Sequence, residues 1–381
     1  MTTPTRERVA HLSTTFPALT GLRAVASVAV VVTHVAYWTG RYQTDTIGLF
    51  WARLDSGVAL FFALSGFLLF RPWISRLVDE APYPATGRYA WNRILRIIPA
   101  YWIVVAFGLA LVDSQTGNGV SGIVRHLTLT QIYGSGHLHG GLTQTWSLAT
   151  EIAFYALLPL LGWFVVCVVC RRTWRPARIL VFLSAMCLLN FAYYVLAYHL
   201  DGISPSSLMW LPGFLSWFAV GMALTVIVAM ARTNDGWARR LLAIAADSPV
   251  ACWIAALALL ALASTPMAGV PSLYQESAGT AITRNVLYAG MAFLMMIPLV
   301  TDRPNLMQRA LSWSPMQWLG TISYELFLVH VMLLELAMHL LGFETFTGSM
   351  LLGFIVTMAI SVPAAWALYR VLDAPLRHFH R

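Results

Sequence analysis

An all-α bundle of about ten membrane-crossing helices is the fold class that this sequence predicts. Three observations lead there. Of 381 residues, 59% are hydrophobic and 10% are charged, whereas a soluble domain carries about 25% charged residues. The mean hydropathy is +0.69. The apolar residues gather into runs of about 17 to 25, the length a helix needs to cross a bilayer. No run shows the ten-residue polar–apolar alternation of a membrane barrel strand.

The first run, 19–38, follows a polar opening stretch (1–18) that carries Arg6 and Arg8. That stretch lacks the form of a cleavable signal and reads as a cytoplasmic segment. Within the run, Arg23 and His34 are 11 residues apart. Three turns, or roughly 16 Å of rise, place them on one helix face. The second run, 57–75, is nearly all apolar. The third, 97–112, is entered through Arg93 and Arg96. The fourth, 147–169, contains Glu151. The fifth is 178–199. The sixth, 208–231, carries Gly213, Gly221 and Ala223, small residues that suit close helix packing within one chain or between two. The seventh and eighth, 249–265 and 284–300, are separated by Pro266 and Pro271. The ninth, 317–341, contains Glu325 and His330, and the tenth is 347–369. A short tail, 373–381, follows the membrane domain of 19–372.

Charge supports the count independently of hydropathy. With ten spans, the arginine-rich connections fall on one side: Arg71, Arg76, Arg88, Arg93 and Arg96; Arg171, Arg172, Arg175 and Arg178; Arg232, Arg239 and Arg240; Arg303 and Arg309; and the tail with Arg370, Arg377 and Arg381. The other side holds Arg41, Arg53, Arg125 and Arg284. Positive charge marks the cytoplasmic side, so both termini are expected there. The net charge of +8 is spread over helix ends and does not form a nucleic-acid surface. Cys167, Cys170, Cys187 and Cys252 all lie in apolar runs and read as small buried residues.

Ionisable groups at membrane depth are costly and mark function by default. His34 lies in the outer third of the first span. Glu151 lies just below the outer surface, at a depth counted as similar. A carboxylate beside an imidazole fixes its tautomer and raises its basicity, so the two are expected to pair for proton transfer. The competing reading is a locally paired Glu151 and a packed His34. Ser147, Glu151 and Tyr155, at i, i+4 and i+8, share a face. Ser323, Tyr324 and Glu325 precede His330, which either lines a cavity or bonds between helices. Arg93 and Arg96 point the same way and suit phosphate, although arginines at a cytoplasmic helix end need no ligand. His126, His137 and His139 sit in a Gly-rich external connection, 113–145, expected to be flexible and solvated rather than metal-binding.

Five segments in order resemble the acyltransferase-3 family of bacterial membrane O-acyltransferases. Leu19 to His34 is similar to its D-G-x-R opening followed by a His. Gly57 to Leu68, with Ser65, is similar to its G-V-D-x-F-F-x-x-S-G-F helix. Tyr89 to Tyr101 resembles R-R-x-x-R-I-x-P-x-Y. Trp146 to Tyr155 resembles W-S-L-x-x-E-x-x-F-Y, and Ser323 to His330 resembles S-Y-x-x-Y-L-x-H. Four positions depart: Thr20 and Ala59 stand where the family has Asp, Ile152 where it often has a second Glu, and Asn92 where it has a basic residue. The lost acids bear on acceptor choice or on activity.

The resemblance implies a multi-pass protein of the bacterial cytoplasmic (inner) membrane. An acyl group, most simply acetyl, would pass from cytoplasmic acyl-CoA to a hydroxyl of an envelope sugar or lipid-linked acceptor. Acyl-CoA would be a donor substrate, with no tightly bound cofactor and no metal. His34, oriented by Glu151, would be the general base or, alternatively, would carry the acyl group covalently. Arg93, Arg96 and Arg71 would hold phosphates and Arg23 would line the path. Ser65, Trp146, Ser147, Tyr155, Tyr324 and His330 would line the cavity. Many members carry a further soluble domain, so transfer by this chain is expected to finish in the membrane domain or on a partner. The rival reading is a transporter or flippase of a polar or acylated glycolipid, for which ten helices with buried charges are also suited.

Overall fold

A computed structural model describes residues 16–42, 45–200, 205–270 and 277–372. Arg6 and Arg8, and Arg377 and Arg381 of the tail, lie outside the described residues. Fifteen α-helices follow one another within them: α1 (Pro17–Trp38), α2 (Thr46–Ala52), α3 (Gly57–Val78), α4 (Thr86–Leu111), α5 (Gly119–Leu127), α6 (Thr145–Phe164), α7 (Pro176–His199), α8 (Leu215–Arg232), α9 (Gly236–Asp247), α10 (Pro249–Ala263), α11 (Ala278–Met296), α12 (Leu306–Leu311), α13 (Ser314–Thr321), α14 (Ser323–Leu340) and α15 (Met350–Val371). The described residues contain no strand.

Nine helical stretches among the described residues are long and apolar enough to span a membrane, and α9 with α10 makes a tenth candidate bent by 89°. The expected straight seventh span, 249–265, is therefore only the second arm of that bend. Pro249 starts α10 at its first turn, and Ser248 before it is held out of helical conformation, as the residue preceding proline usually is. The expected ninth span, 317–341, is broken at Ile322 into α13 and α14. Gly320 at that break presses on the Thr20 carbonyl oxygen, where a Cβ would come within 2.0 Å of it (1.9 Å). The third span begins at Thr86 rather than 97, so Arg88, Arg93 and Arg96 are helical residues.

The interior belongs to α3 and α8, most of whose residues are buried, whereas α7 and α15, most of whose residues are not, form the rim. Leu188, Leu189, Leu351 and Ile355 point outward from those rim helices. Between apolar helices in lipid, association depends on close packing and interhelical hydrogen bonds. Both are present. Gly66 of α3 meets the Phe218 carbonyl, and Gly221 of α8 meets that of Ala63. Gly221 thus packs helices within this chain. Thr225 donates to the Phe67 carbonyl at 2.9 Å, and Asn285 of α11 accepts from Ser216 of α8.

The connection 113–145 is not the open loop expected. It contains α5, and His126 and His139 are 0% and 1% exposed. The His139 amide donates to His126 Nε2 at 3.2 Å. Burial, and then His139, push the His126 imidazole down to about 4. The segment leading into α6 also folds inward: Gln131, Gln144 and Thr145 are buried, and Gln144 donates to the Leu328 carbonyl of α14 at 2.7 Å.

Candidate active site

Two cavities lie on either side of the start of α3. The one on the side that the arginine distribution predicts to face outward, termed the outer cavity, has about 410 Å³ and is lined by His34, Asp55, Trp146, Trp217, Arg284 and Tyr288, among others. The α1 helix carries His34 into it. His34 Nδ1 lies 2.7 Å from the Val30 carbonyl oxygen one turn back and 3.4 Å from His330 Nε2. The two imidazoles meet edge to face, with centroids 5.0 Å apart. Asp55 accepts a hydrogen bond from Tyr288. Thr33 donates to the Ala52 carbonyl at 3.0 Å, so in the 2.5 Å contact with Tyr42 the tyrosine is the donor. Burial, and then Asp55, hold the Tyr42 hydroxyl above its ordinary value, so it keeps its proton.

The inner cavity, of about 80 Å³, is lined by Arg23, Ser65, Arg93, Arg96, Ser147, Glu151, Tyr155 and Tyr324. The i, i+4 spacing of α6 delivers Glu151 and Tyr155 to it. Glu151 accepts from Ser65 and from Tyr155 at 2.5 Å. Tyr324 donates to the Ile97 carbonyl at 2.8 Å, fastening α14 to α4. Arg23, Arg93 and Arg96 converge here from α1 and α4 with no ion pair among the described residues, and Arg93 Nε is buried without a hydrogen-bond partner. Unpaired guanidiniums in a low-dielectric site are costly, and an anionic ligand would offset that cost. Val58 lines both cavities.

Eight of the twelve residues expected from the sequence thus share the inner cavity. Four are elsewhere. Trp146 and His34 face the outer cavity. His330 is fully buried behind His34 and lines neither. Arg71 sits apart, its guanidinium 4.6 Å over the Phe16 ring, beside a small pocket near Thr225.

The expected His34–Glu151 pair does not form: among the described residues no hydrogen bond joins them. Depth explains it. Gly57 packs on Ala26 and Val30 of α1. His34 lies beyond Val30 on one side of that level. Ser65, the partner of Glu151, lies eight residues, about 12 Å of helix, to the other side. The end of segment 131–145 is itself buried, with Gln144 bonded to α14, so counting from the start of α6 misjudges the level of Glu151. The sequence reading overlooked Asp55, Tyr42 and Tyr288. Asp55 was detectable: it is one of only 16 acidic residues and stands one turn before Ala59, where the resembled motif has its acid.

The family profile described as "Acyltransferase domain" (acyltransferase-3) matches residues 16–370. The chain belongs to the acyltransferase-3 family. This member is similar to Acyltransferase MdmB of Streptomyces mycarofaciens, with 33% identity over 169 residues, 42% of each chain. It is similar to the peptidoglycan O-acetyltransferase OatA of Listeria monocytogenes, with 22% identity over 95% of this chain and 56% of that one. It is also similar to the putative peptidoglycan O-acetyltransferase YrhL of Bacillus subtilis, with 26% identity over 82% of this chain and 48% of that one. The chain therefore spans about half the length of the curated relatives it matches. No solved structure matches it. In this acyltransferase-3 member, Ser65 comes from one motif segment and Glu151 and Tyr155 from another, and the three meet in one hydrogen-bonded group.

Proposed function

We propose that this chain is a membrane O-acyltransferase that moves an acyl group, most simply acetyl, from cytoplasmic acyl-CoA to a hydroxyl of a cell-envelope carbohydrate or glycolipid. The observation that carries the reading is the pair of cavities meeting at Val58, one lined by unpaired arginines and the other holding His34. Arg23, Arg93 and Arg96 supply the positive field for a phosphate-bearing donor. The aromatic walls of the outer cavity, with Asp55 and Arg284, suit a sugar, whose C–H faces pack on rings and whose hydroxyls need polar partners. The names of the peptidoglycan O-acetyltransferase relatives point to the same acceptor class. The arginine distribution supports both termini on the cytoplasmic face, and the family supports a bacterial inner-membrane location.

In this reaction His34 takes the proton of the acceptor hydroxyl as its oxygen attacks the thioester carbonyl. The C–S bond breaks, the ester C–O bond stays, and the leaving CoA sulfur receives the proton from His34. Glu151 acts at a distance from this step: it anchors Ser65 and Tyr155 and balances the arginines of the inner cavity. The test is transfer of label from radiolabelled acetyl-CoA to envelope carbohydrate in proteoliposomes, with wild type and His34→Ala side by side. Label should appear with wild type and be lost in the variant. Undiminished turnover by a well-folded His34→Ala protein rejects the assignment of the base.

A further inference from the structure

The outer cavity holds one carboxylate, Asp55, and it is engaged by Tyr288. The group that meets the inner edge of the His34 ring is another imidazole, His330, 296 residues further along the chain. From the contacts of this pair we infer that His330 is a positioning residue: with the Val30 carbonyl it holds the His34 proton on Nδ1 and leaves Nε2 as the reactive nitrogen. The inference rests on the reading of His34 as the base.

The proton positions follow from what each atom can do. A carbonyl oxygen only accepts. His330 Nδ1 lies 2.8 Å from the Phe327 carbonyl and 3.2 Å from that of Leu326. A bare nitrogen there would set lone pair against lone pair, so Nδ1 carries the proton. In a neutral ring, Nε2 is then bare and accepts. His34 Nδ1 faces the Val30 carbonyl at 2.7 Å, so it too carries a proton, shared between that oxygen and His330 Nε2 at 3.4 Å. This assignment gives every contact a donor and an acceptor. A second proton on His330 would place a cation in a fully buried site and two donors face to face. His34 Nε2 has no protein partner among the described residues and belongs to the ring that lines the chamber. The other titratable groups of that chamber are Asp55, Tyr42, Tyr198, Tyr194, Tyr288 and Arg284.

When His34 gains a proton on Nε2 it becomes an imidazolium whose Nδ1–H points at a neutral acceptor. That is the part a carboxylate plays in a nucleophile–base–orienter triad, here taken by an uncharged ring. An uncharged orienter avoids leaving a carboxylate in the low-dielectric interior during the resting state.

Two measurements on full-length protein in nanodiscs test this. The first is nitrogen-15 NMR of histidine-labelled protein, with His34 and His330 assigned by single substitution. Both are expected as Nδ1–H tautomers at neutral pH; a His34 carrying its proton on Nε2 overturns the inference, whatever the activity. The second compares His330→Leu with His330→Gln, whose amide oxygen restores an acceptor. His330→Leu should lower kcat about tenfold or more, with KM for acetyl-CoA unchanged, and His330→Gln should recover most of it. Wild-type kcat in His330→Leu, or equal losses in both variants, overturns the positioning role. If His34→Ala stays active while the tautomers are as assigned, the reading of His34 as base fails and the proton assignment stands.

Discussion

Ser65 of α3 donates its hydroxyl hydrogen bond to Glu151 of α6, tying two helices together at the inner cavity. Tyr155 adds a second donor to the same carboxylate. Glu151 is the acidic residue lining a cavity that also holds three arginines. Replacing it by Leu removes the acceptor both hydroxyls share, leaving them only their 3.2 Å contact with each other, and leaves the guanidiniums unbalanced; it should cost about 3 kcal/mol of stability. Ser65→Ala, which keeps the charge, should cost about 1 kcal/mol. Thermal unfolding in detergent, read against wild type, measures both; equal losses would contradict the central place given to the carboxylate.

The arginine cluster makes a separate prediction. Arg93→Gln should raise the KM or Kd for acetyl-CoA by about tenfold, since one charge–phosphate contact is worth roughly 1.4 kcal/mol. Arg71→Gln, remote from the cavity, should leave that value near wild type. Calorimetric titration with acetyl-CoA separates the two, and a loss confined to Arg71→Gln would move the donor site away from the inner cavity.

Val58 stands where the two cavities meet. Val58→Trp fills the junction, so the acyl end of a donor held below no longer reaches His34. Turnover should fall by about 100-fold, the order of loss that a small misplacement of reacting groups brings, while acetyl-CoA still binds. Unchanged turnover in a folded Val58→Trp protein would mean that the two cavities do not communicate through this position.

A Cβ at Gly221 would come to 1.9 Å of the Ala63 carbonyl oxygen, and one at Gly66 to 2.2 Å of that of Phe218. Gly221→Leu forces α3 and α8 apart at the most buried crossing of the bundle. The expected loss is about 3 kcal/mol, the upper range for overpacking, seen as a lower Tm. Gly87→Leu, with open space around its Cβ position, should be neutral.

His126 gives segment 113–145 a pH dependence. Its imidazole is pushed from an ordinary 6.5 down to about 4, by burial first and then by His139; burial lowers His139 as well. Between those values the unfolded loop binds a proton that the folded loop does not, so stability rises with pH in that window. The contribution is complete above about pH 6.5 and is lost as pH falls toward 4. Hydrogen exchange of segment 113–145, corrected for the intrinsic pH effect, should show protection declining across that range. His126→Gln should flatten the decline; an unaltered decline would assign it to other groups.

Much of this molecule is legible in its sequence. Membrane helices must be long and apolar, so the positions of α1, α3, α4, α6, α7, α8, α11 and α15 follow from hydropathy alone. The cost of charge in lipid also singles out Arg23, His34, Glu151 and His330 before any fold is known, and the five ordered motifs identify the family. The bent α9–α10 pair and the break at Ile322 are not legible, because a proline or glycine signals a possible stop without saying which neighbour exploits it. Tyr288 shows the same limit: it is an ordinary residue until the packing of α11 against the start of α3 brings it to Asp55.

The sequence by itself determined which groups would be buried in the bilayer, since that depends on local composition. The tertiary structure alone decided which of them meet. Glu151 turns to Ser65 and Tyr155, His34 to His330, and Arg71 to Phe16. Those choices depend on how deep each helix is inserted and how far it is rotated. Depth and rotation are set by close backbone contacts such as Gly57 on Ala26 and Gly221 on Ala63, between residues far apart in the chain, and no local pattern encodes them.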